Sequence, residues 1–396
     1  MSRLQRFRVG RRCTLLGVGP MSRNCVDVTL ELSRERHLPL MLIASRQQIE
    51  CAELGGGYVE GWTTESFVSH VRSLAPSPVL LARDHGGPWQ HAAERALGME
   101  LDEAMRRAKT SYAADIEAGF DLVHIDASHD PSGSASVDQL LDRVFELYEF
   151  CHATARRQGR ELLFEVGTDE QSAEFQDPGE LEYVLTSVNR FCASESLPRP
   201  TFVVVQTGTR VLETENVGGL RVSTFPRLRR LLELCRAHRI WLKEHNADYL
   251  PRSALRGHPR VGIDAVNIAP ELGVVETRAF LRLLRCHSLG ALAERFLELA
   301  YDSGCWRKWL KPASRLDAAG RAILAGHYVF AASEFRELKA RASRSLLRWS
   351  VDVDAVLRAS IRRAIERYLD AFGLTRARPQ LAPRTRAAAR AAVQRV

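Results

Sequence analysis

A regular alternation constrains this chain more than any other feature. Eight short apolar runs, Cys13–Val18, Leu38–Ala44, Val79–Ala82, Leu122–Ile125, Glu161–Val166, Phe202–Val205, Ile240–Leu242 and Ile263–Ile268, are separated by amphipathic stretches. Those stretches carry helical spacing near 22–36, 64–74, 98–118, 136–158, 179–194, 226–238, 250–257 and 275–288. Strands that are apolar throughout need cover on both faces, so the pattern predicts βαβ units around a parallel sheet. Eight units fit a closed (β/α)8 TIM barrel of the α/β class. An open doubly wound sheet is the alternative, but no G-x-G-x-x-G follows the first run. Gly55-Gly56-Gly57 follows a helical stretch instead and reads as an active-site loop or a turn.

Past residue 290 the strand signal stops. Residues 291–374 are helical in pattern and carry Trp306, Trp309, Tyr328, Phe330, Phe335, Trp349 and Tyr368. They are expected to form a C-terminal helical extension that packs on the barrel (residues 1–290) or on a neighbouring subunit. The segment 375–396, interrupted by Pro379 and Pro383, is expected to be a poorly ordered basic tail.

With 396 residues, 45% apolar and 26% charged, the chain has enough material for a full core, which excludes disordered, collagen-like and small disulfide-stapled classes. The net charge of +8 is concentrated at the ends. Residues 1–12 hold five arginines and residues 376–396 six, with no acid in either, so the body between them is mildly acidic. Nucleic acid is therefore not an expected partner, and solvated tails are. The eight cysteines contain no C-x-x-C pair and read as free thiols of a reducing compartment. No apolar run approaches the roughly 20 residues of a membrane span, and the Arg-rich start leads into the first strand without a signal-peptide core. A cytoplasmic location with no membrane partner is expected.

The chemistry is carried by what ends each run. The third run leads into Arg83-Asp84-His85-Gly86-Gly87-Pro88, and the fourth reads His124-Ile125-Asp126-Ala127-Ser128-His129. The fifth ends in Glu165-Val166-Gly167-Thr168 and the sixth in Gln206-Thr207-Gly208-Thr209. The seventh continues as Lys243-Glu244-His245-Asn246-Ala247-Asp248-Tyr249, and the eighth as Asn267-Ile268-Ala269-Pro270-Glu271. In a parallel barrel these ends converge on the face where barrel enzymes react. Six polar strand ends in succession point to a site, because burying unpaired charge costs several kcal/mol.

His85 and His245 with Glu165, and the oxygens of Asp84, Asp126 and Gln206, suit one divalent cation: Zn²⁺, with Mn²⁺ or Co²⁺ as alternatives. A metal-free site that hydrogen-bonds a sugar is the other possibility. Lys243 shares strand parity with His245; it either forms a Schiff base or serves as a charge partner. His129, His152, His238, His258, His287 and His327 fall in loops or helices and read as ordinary histidines. Cys151-His152 and Cys286-His287 lie in helical stretches and make poor nucleophilic dyads. No G-x-S-x-G, Walker A or H-E-x-x-H motif is present.

These segments, with Gly57-Tyr58-Val59-Glu60-Gly61 and Thr63 upstream, resemble the Z-type subunit of class II tagatose-1,6-bisphosphate aldolase over roughly residues 10–290. They are more distantly similar to class II ketose-bisphosphate aldolases. The resemblance implies that Asp84 transfers protons and that His85 and His245 ligate zinc, while Asp126-Ala127-Ser128 matches a strand-end motif of those enzymes. Two segments depart from it. Arg210-Val211 stands where the aldolases carry a further histidine ligand, a role left to Gln206 or Glu165, and Asn246-Ala247-Asp248-Tyr249 replaces their glycine-rich phosphate loop.

The implied reaction is metal-dependent retro-aldol chemistry on a ketose or ketose phosphate, ending as an aldolase or a C4 epimerase. Asp84 is the expected acid/base, Asp126 or Asp248 a second proton carrier, and Lys243 a member of the same catalytic set. Arg83, Gln206, Glu244 and Asn267 are expected to bind substrate hydroxyls or phosphate. The alternative is a non-catalytic subunit that stabilises a class II aldolase. The expected partner is accordingly a second copy of the chain or an aldolase catalytic subunit.

Overall fold

In the computed structural model, residues 2–74, 76–167, 174–218 and 224–375 are described. Thr168 and the tail 376–396 lie outside them. Eight parallel strands close into a barrel: β1 (Leu15–Val18), β2 (Met41–Ser45), β3 (Leu80–Asp84), β4 (Leu122–Asp126), β5 (Leu163–Gly167), β6 (Phe202–Val204), β9 (Trp241–Glu244) and β10 (Ala265–Ile268). The order around the cylinder is β1-β10-β9-β6-β5-β4-β3-β2. The remaining strands, β7 (Val211–Leu212) and β8 (Glu215–Asn216), form a small antiparallel hairpin in the loop after β6.

Helices cover the outside: α2 (Arg23–Arg36), α3 (Thr64–Ser73), α5 (Leu101–Ala118), α6 (Val137–Arg157), α7 (Pro178–Ser194), α8 (Phe225–Ala237), α9 (Arg252–Val261) and α10 (Pro270–Cys286). Their ends carry local signals. Thr63 and Ser136 form capping boxes on α3 and α6. Asp177 caps α7 ahead of Pro178, and Gly119 closes α5 with a left-handed residue. A short helix, α4 (Ala92–Ala96), follows β3.

The basic start differs from the expected solvated segment. It folds as α1 (Arg3–Arg8), set by a Ser2–Gln5 capping box. Leu4 is fully buried beneath the barrel against Leu15, Met41, Leu80, Leu122, Phe202 and Ala265. Arg8 pairs with Asp264 and stacks over Trp241 at 4.6 Å.

Strand parity sorts the side chains. Leu80 and Ala82 point into the barrel, and Leu81 points toward the helices; Leu122 points in, and Val123 and Ile125 point out. Beyond α10, the helices α11 (Gly290–Asp302), α12 (Ala318–Ala325) and α13 (Ser333–Leu346) build a second core around Phe280, Phe296, Phe330 and Phe335. The last helix, α14 (Val353–Ala371), returns to α2 and α10, and its Ile361, Ile365, Tyr368 and Leu369 join the barrel's outer core. All eight cysteines are free, and six are buried. Among the described residues no helix is long and apolar enough to cross a membrane.

Candidate active site

The inward parity of β3, β4, β5 and β9 brings Asp84, His124, Glu165 and His245 together, all buried, close enough to share one ion. Oδ1 of Asp84 stands 3.7 Å from Nδ1 of His124 and 3.7 Å from Nε2 of His245. Oε1 of Glu165 stands 3.8 Å and 3.3 Å from the same two nitrogens. Nitrogen and oxygen ligands about 2.0–2.2 Å from a tetrahedral ion are separated by about 3.3–3.6 Å, so the donor set fits a zinc-like cation. Two buried polar atoms here also lack a hydrogen-bond partner, Nε2 of His124 and Oδ1 of Asn267.

Glycine makes room for both. A Cβ at Gly167 would stand 2.6 Å from Nε2 of His124, and one at Gly17 would overlap Oδ1 of Asn267. His124 is further held through its backbone oxygen, which accepts from the Tyr112 hydroxyl at 2.6 Å.

Glu165 divides its oxygens. Oε2 accepts from the Lys243 ammonium at 2.6 Å while Oε1 faces the cluster. Lys243 is thus the charge partner of a buried carboxylate rather than a free amine, which argues against a Schiff base. Burial pushes the Glu165 carboxyl up, but Lys243 and the two histidines outweigh it and hold the acid well below its usual range. Asp84 behaves alike: burial opposes ionisation, and His85 and His245 more than compensate. Burial lowers His245.

His85, expected to share an ion with Glu165 and His245, sits beside this set, which His124 and Asp84 complete instead. Its backbone is left-handed, φ 48°, a conformation unusual for a non-glycine residue and one found at functional turns. Its Nδ1 is 2.5 Å from Oδ2 of Asp126, and its Nε2 is 3.9 Å from Oδ2 of Asp84. Asp126 is fixed by the Ser128 N–H at 2.9 Å. Burial lowers His85, but Asp84 and Asp126 reverse the effect and raise it to about 9. His85, His124 and Asp126 form a second group of donors that shares His124 with the first.

Above the donors opens a cavity of about 270 Å³, lined by Asp84, His85, His245 and Asn267 and by the amides of Gln47, Gln48, Gln90 and Asn246. Asn267 donates to Oδ1 of Asp84 at 3.3 Å. Asp248 also lines the cavity, but its carboxylate accepts from the Ala269 and Glu271 N–H groups at 3.0 and 2.9 Å, capping α10. Burial, with Glu271 nearby, pushes Asp248 up to about 7. Gln206 is buried beyond β6, its carbonyl accepting from the Gln176 N–H at 2.8 Å.

Two assignments are corrected by parity. Arg83 points away from the barrel interior: Nε and Nη2 bind Asp115 at 2.6 and 2.7 Å, and Nη1 donates to the carbonyls of Ala44 and Ile49. Fully buried behind β3, it has no route to substrate. Glu244 also faces outward, accepting from Thr207 and lying 2.8 Å from Nε2 of His258. Conversely, His124 escaped the sequence reading, although it lies two residues before Asp126 on a period-two strand. So did Lys308, Trp309 and Tyr328 of the extension, which form one wall of the cavity.

The fold recurs in solved structures. A protein from Sinorhizobium meliloti 1021 described as a probable tagatose 6 phosphate kinase matches with a TM-score of 0.70 at 18% identity, covering 90% of this chain and 100% of that one. A fructose-bisphosphate aldolase from Campylobacter jejuni matches at 0.54 and 11% identity, covering 93% and 92%. A fructuronate-tagaturonate epimerase from Cohnella laeviribosi matches at 0.51 and 12% identity, covering 91% and 81%. No curated protein matches by sequence. A family model described as D-tagatose-1,6-bisphosphate aldolase subunit GatZ/KbaZ-like matches residues 2–284. Spanning the whole barrel and its cluster of donors, that match establishes that the chain belongs to the GatZ/KbaZ-like family of D-tagatose-1,6-bisphosphate aldolase subunits.

Proposed function

We propose that the barrel catalyses metal-dependent aldol and retro-aldol chemistry on a ketose or ketose phosphate in the cytoplasm, as an aldolase or a C4 epimerase. The observation that carries this reading is the buried four-donor set, Asp84, His124, Glu165 and His245, at the floor of a polar cavity. A divalent ion held there, Zn²⁺ or else Mn²⁺ or Co²⁺, would act as a Lewis acid on the ketose carbonyl.

The chain's own groups handle the protons. A hydroxyl on C4 fits against both Oδ2 of Asp84 and Nε2 of His85, which stand 3.9 Å apart. Oδ2 of Asp84 accepts the hydroxyl proton as the C3–C4 bond breaks, its electron pair passing toward the carbonyl end. His85, oriented by Asp126, donates a hydrogen bond to the oxygen of the new aldehyde. Asn267 and the cavity amides hold the other hydroxyls. Releasing the aldehyde makes an aldolase; turning its face and re-forming the bond makes an epimerase.

A second reading has the chain stabilise a catalytic aldolase partner; it rests on the family's description as a subunit. Metal analysis and incubation of the isolated chain with ketose phosphates separate the two. The enzyme reading expects about one metal per chain and product formed, with Asp84→Asn abolishing turnover. Absence of both metal and product supports the subunit.

A further inference from the structure

We propose that Lys308, contributed by the helical extension, is the contact that selects substrates with an anionic terminus, a phosphate or a carboxylate. This rests on the reading of the cavity as a ketose site. Lys308 is the one lysine or arginine among the residues lining the cavity. Its ammonium lies 4.9 Å from the Tyr328 ring and 5.3 Å from the Trp309 ring, a bracket that holds a cation without neutralising it. The bracket is built: the Trp309 indole N–H donates to the Tyr328 hydroxyl at 3.1 Å, and Tyr328 packs against Tyr58 at 4.7 Å. The Trp309 carbonyl also accepts from the Glu213 N–H at 2.6 Å, tying the segment to the loop after β6.

Among the described residues no carboxylate pairs with Lys308, whereas Lys311 nearby binds Glu215 at 2.7 Å and Glu213 at 3.8 Å. Lys308 is exposed at the cavity rim, so an anionic ligand reaches its ammonium without displacing a protein carboxylate.

The alternative anion site in a barrel is the N-terminus of the helix after the last strand. Here that place is filled by the chain itself, because the Asp248 carboxylate occupies the first N–H groups of α10. The reacting carbons belong at the floor, where Asp84 and His85 stand, so the far end of an extended ketose falls toward the rim, where Lys308 would meet an anionic group.

The test uses unreactive polyols, so that binding is read apart from catalysis. Calorimetry on the zinc-loaded protein compares a hexitol 1-phosphate, a hexonate and the uncharged hexitol, with wild type, Lys308→Met and Lys308→Arg. The expected result is that Lys308→Met weakens at least one anionic probe about tenfold or more, leaves the hexitol unchanged, and that arginine restores most of the loss. The probe that responds tells phosphate from carboxylate. Equal affinities of wild type and Lys308→Met for both anions, or no binding of either anion, would overturn the proposal. Turnover of ketoses with no Lys308 dependence would remove the contact and keep the enzyme. Lys308-dependent binding without turnover would do the reverse.

Discussion

At the scale of single residues, Gly167 exerts a control on the site that its lack of a side chain conceals. A methyl group there would meet the ring of His124, whose imidazole has no slack in a buried cluster. Gly167→Ala is expected to leave the fold intact and weaken metal affinity about 10- to 100-fold, as displaced supporting groups generally do. Zinc competition with a chelating dye measures it. Much of the site was legible in the sequence: Asp84, Asp126, Glu165, His245 and Asn267 stand at inward positions at or beside the C-terminal ends of their strands. The misreadings share one cause. The strand alternation that turns Lys243 inward also sends Arg83 and Glu244 outward and brings His124 in. The cavity wall from the extension left no such signal, since contacts across about 200 residues carry no sequence period.

At the scale of elements, α10 shows how a helix that supports the site is itself held. Its Glu276 is buried, accepting from Ser22 and from Asn24 at 2.5 and 2.8 Å, with Lys339 and Asp354 beyond. Burial pushes this carboxyl from 4.5 up to about 7. The folded state therefore binds the proton more tightly than the unfolded chain does. The resulting stability is fully present below about pH 4.5 and is lost as pH rises through 7, by roughly 3 kcal/mol in all. Glu276→Gln should remove that slope: urea titrations at pH 5 and pH 8 should differ less in the variant than in the parent. Elements with a strong period were readable, the long helices to within a few residues. The exceptions were short or atypical. The six residues of α1 and the two-residue strands β7 and β8 are too brief to show a period, and α9 runs through Pro259 to Val261.

At the scale of the whole molecule, the barrel is finished from both directions by segments outside its eight repeats. The extension supplies a wall above the strands, and α14 packs back against α2 and α10. Below, α1 inserts Leu4 among the innermost apolar side chains. Leu4→Ala should cost about 2–5 kcal/mol, read from chemical denaturation, without altering metal content. That stopper has a consequence for traffic. With apolar side chains filling its lower end, the barrel leaves the described cavity open only above the strand ends, so among the described residues a ligand enters and departs by the same mouth.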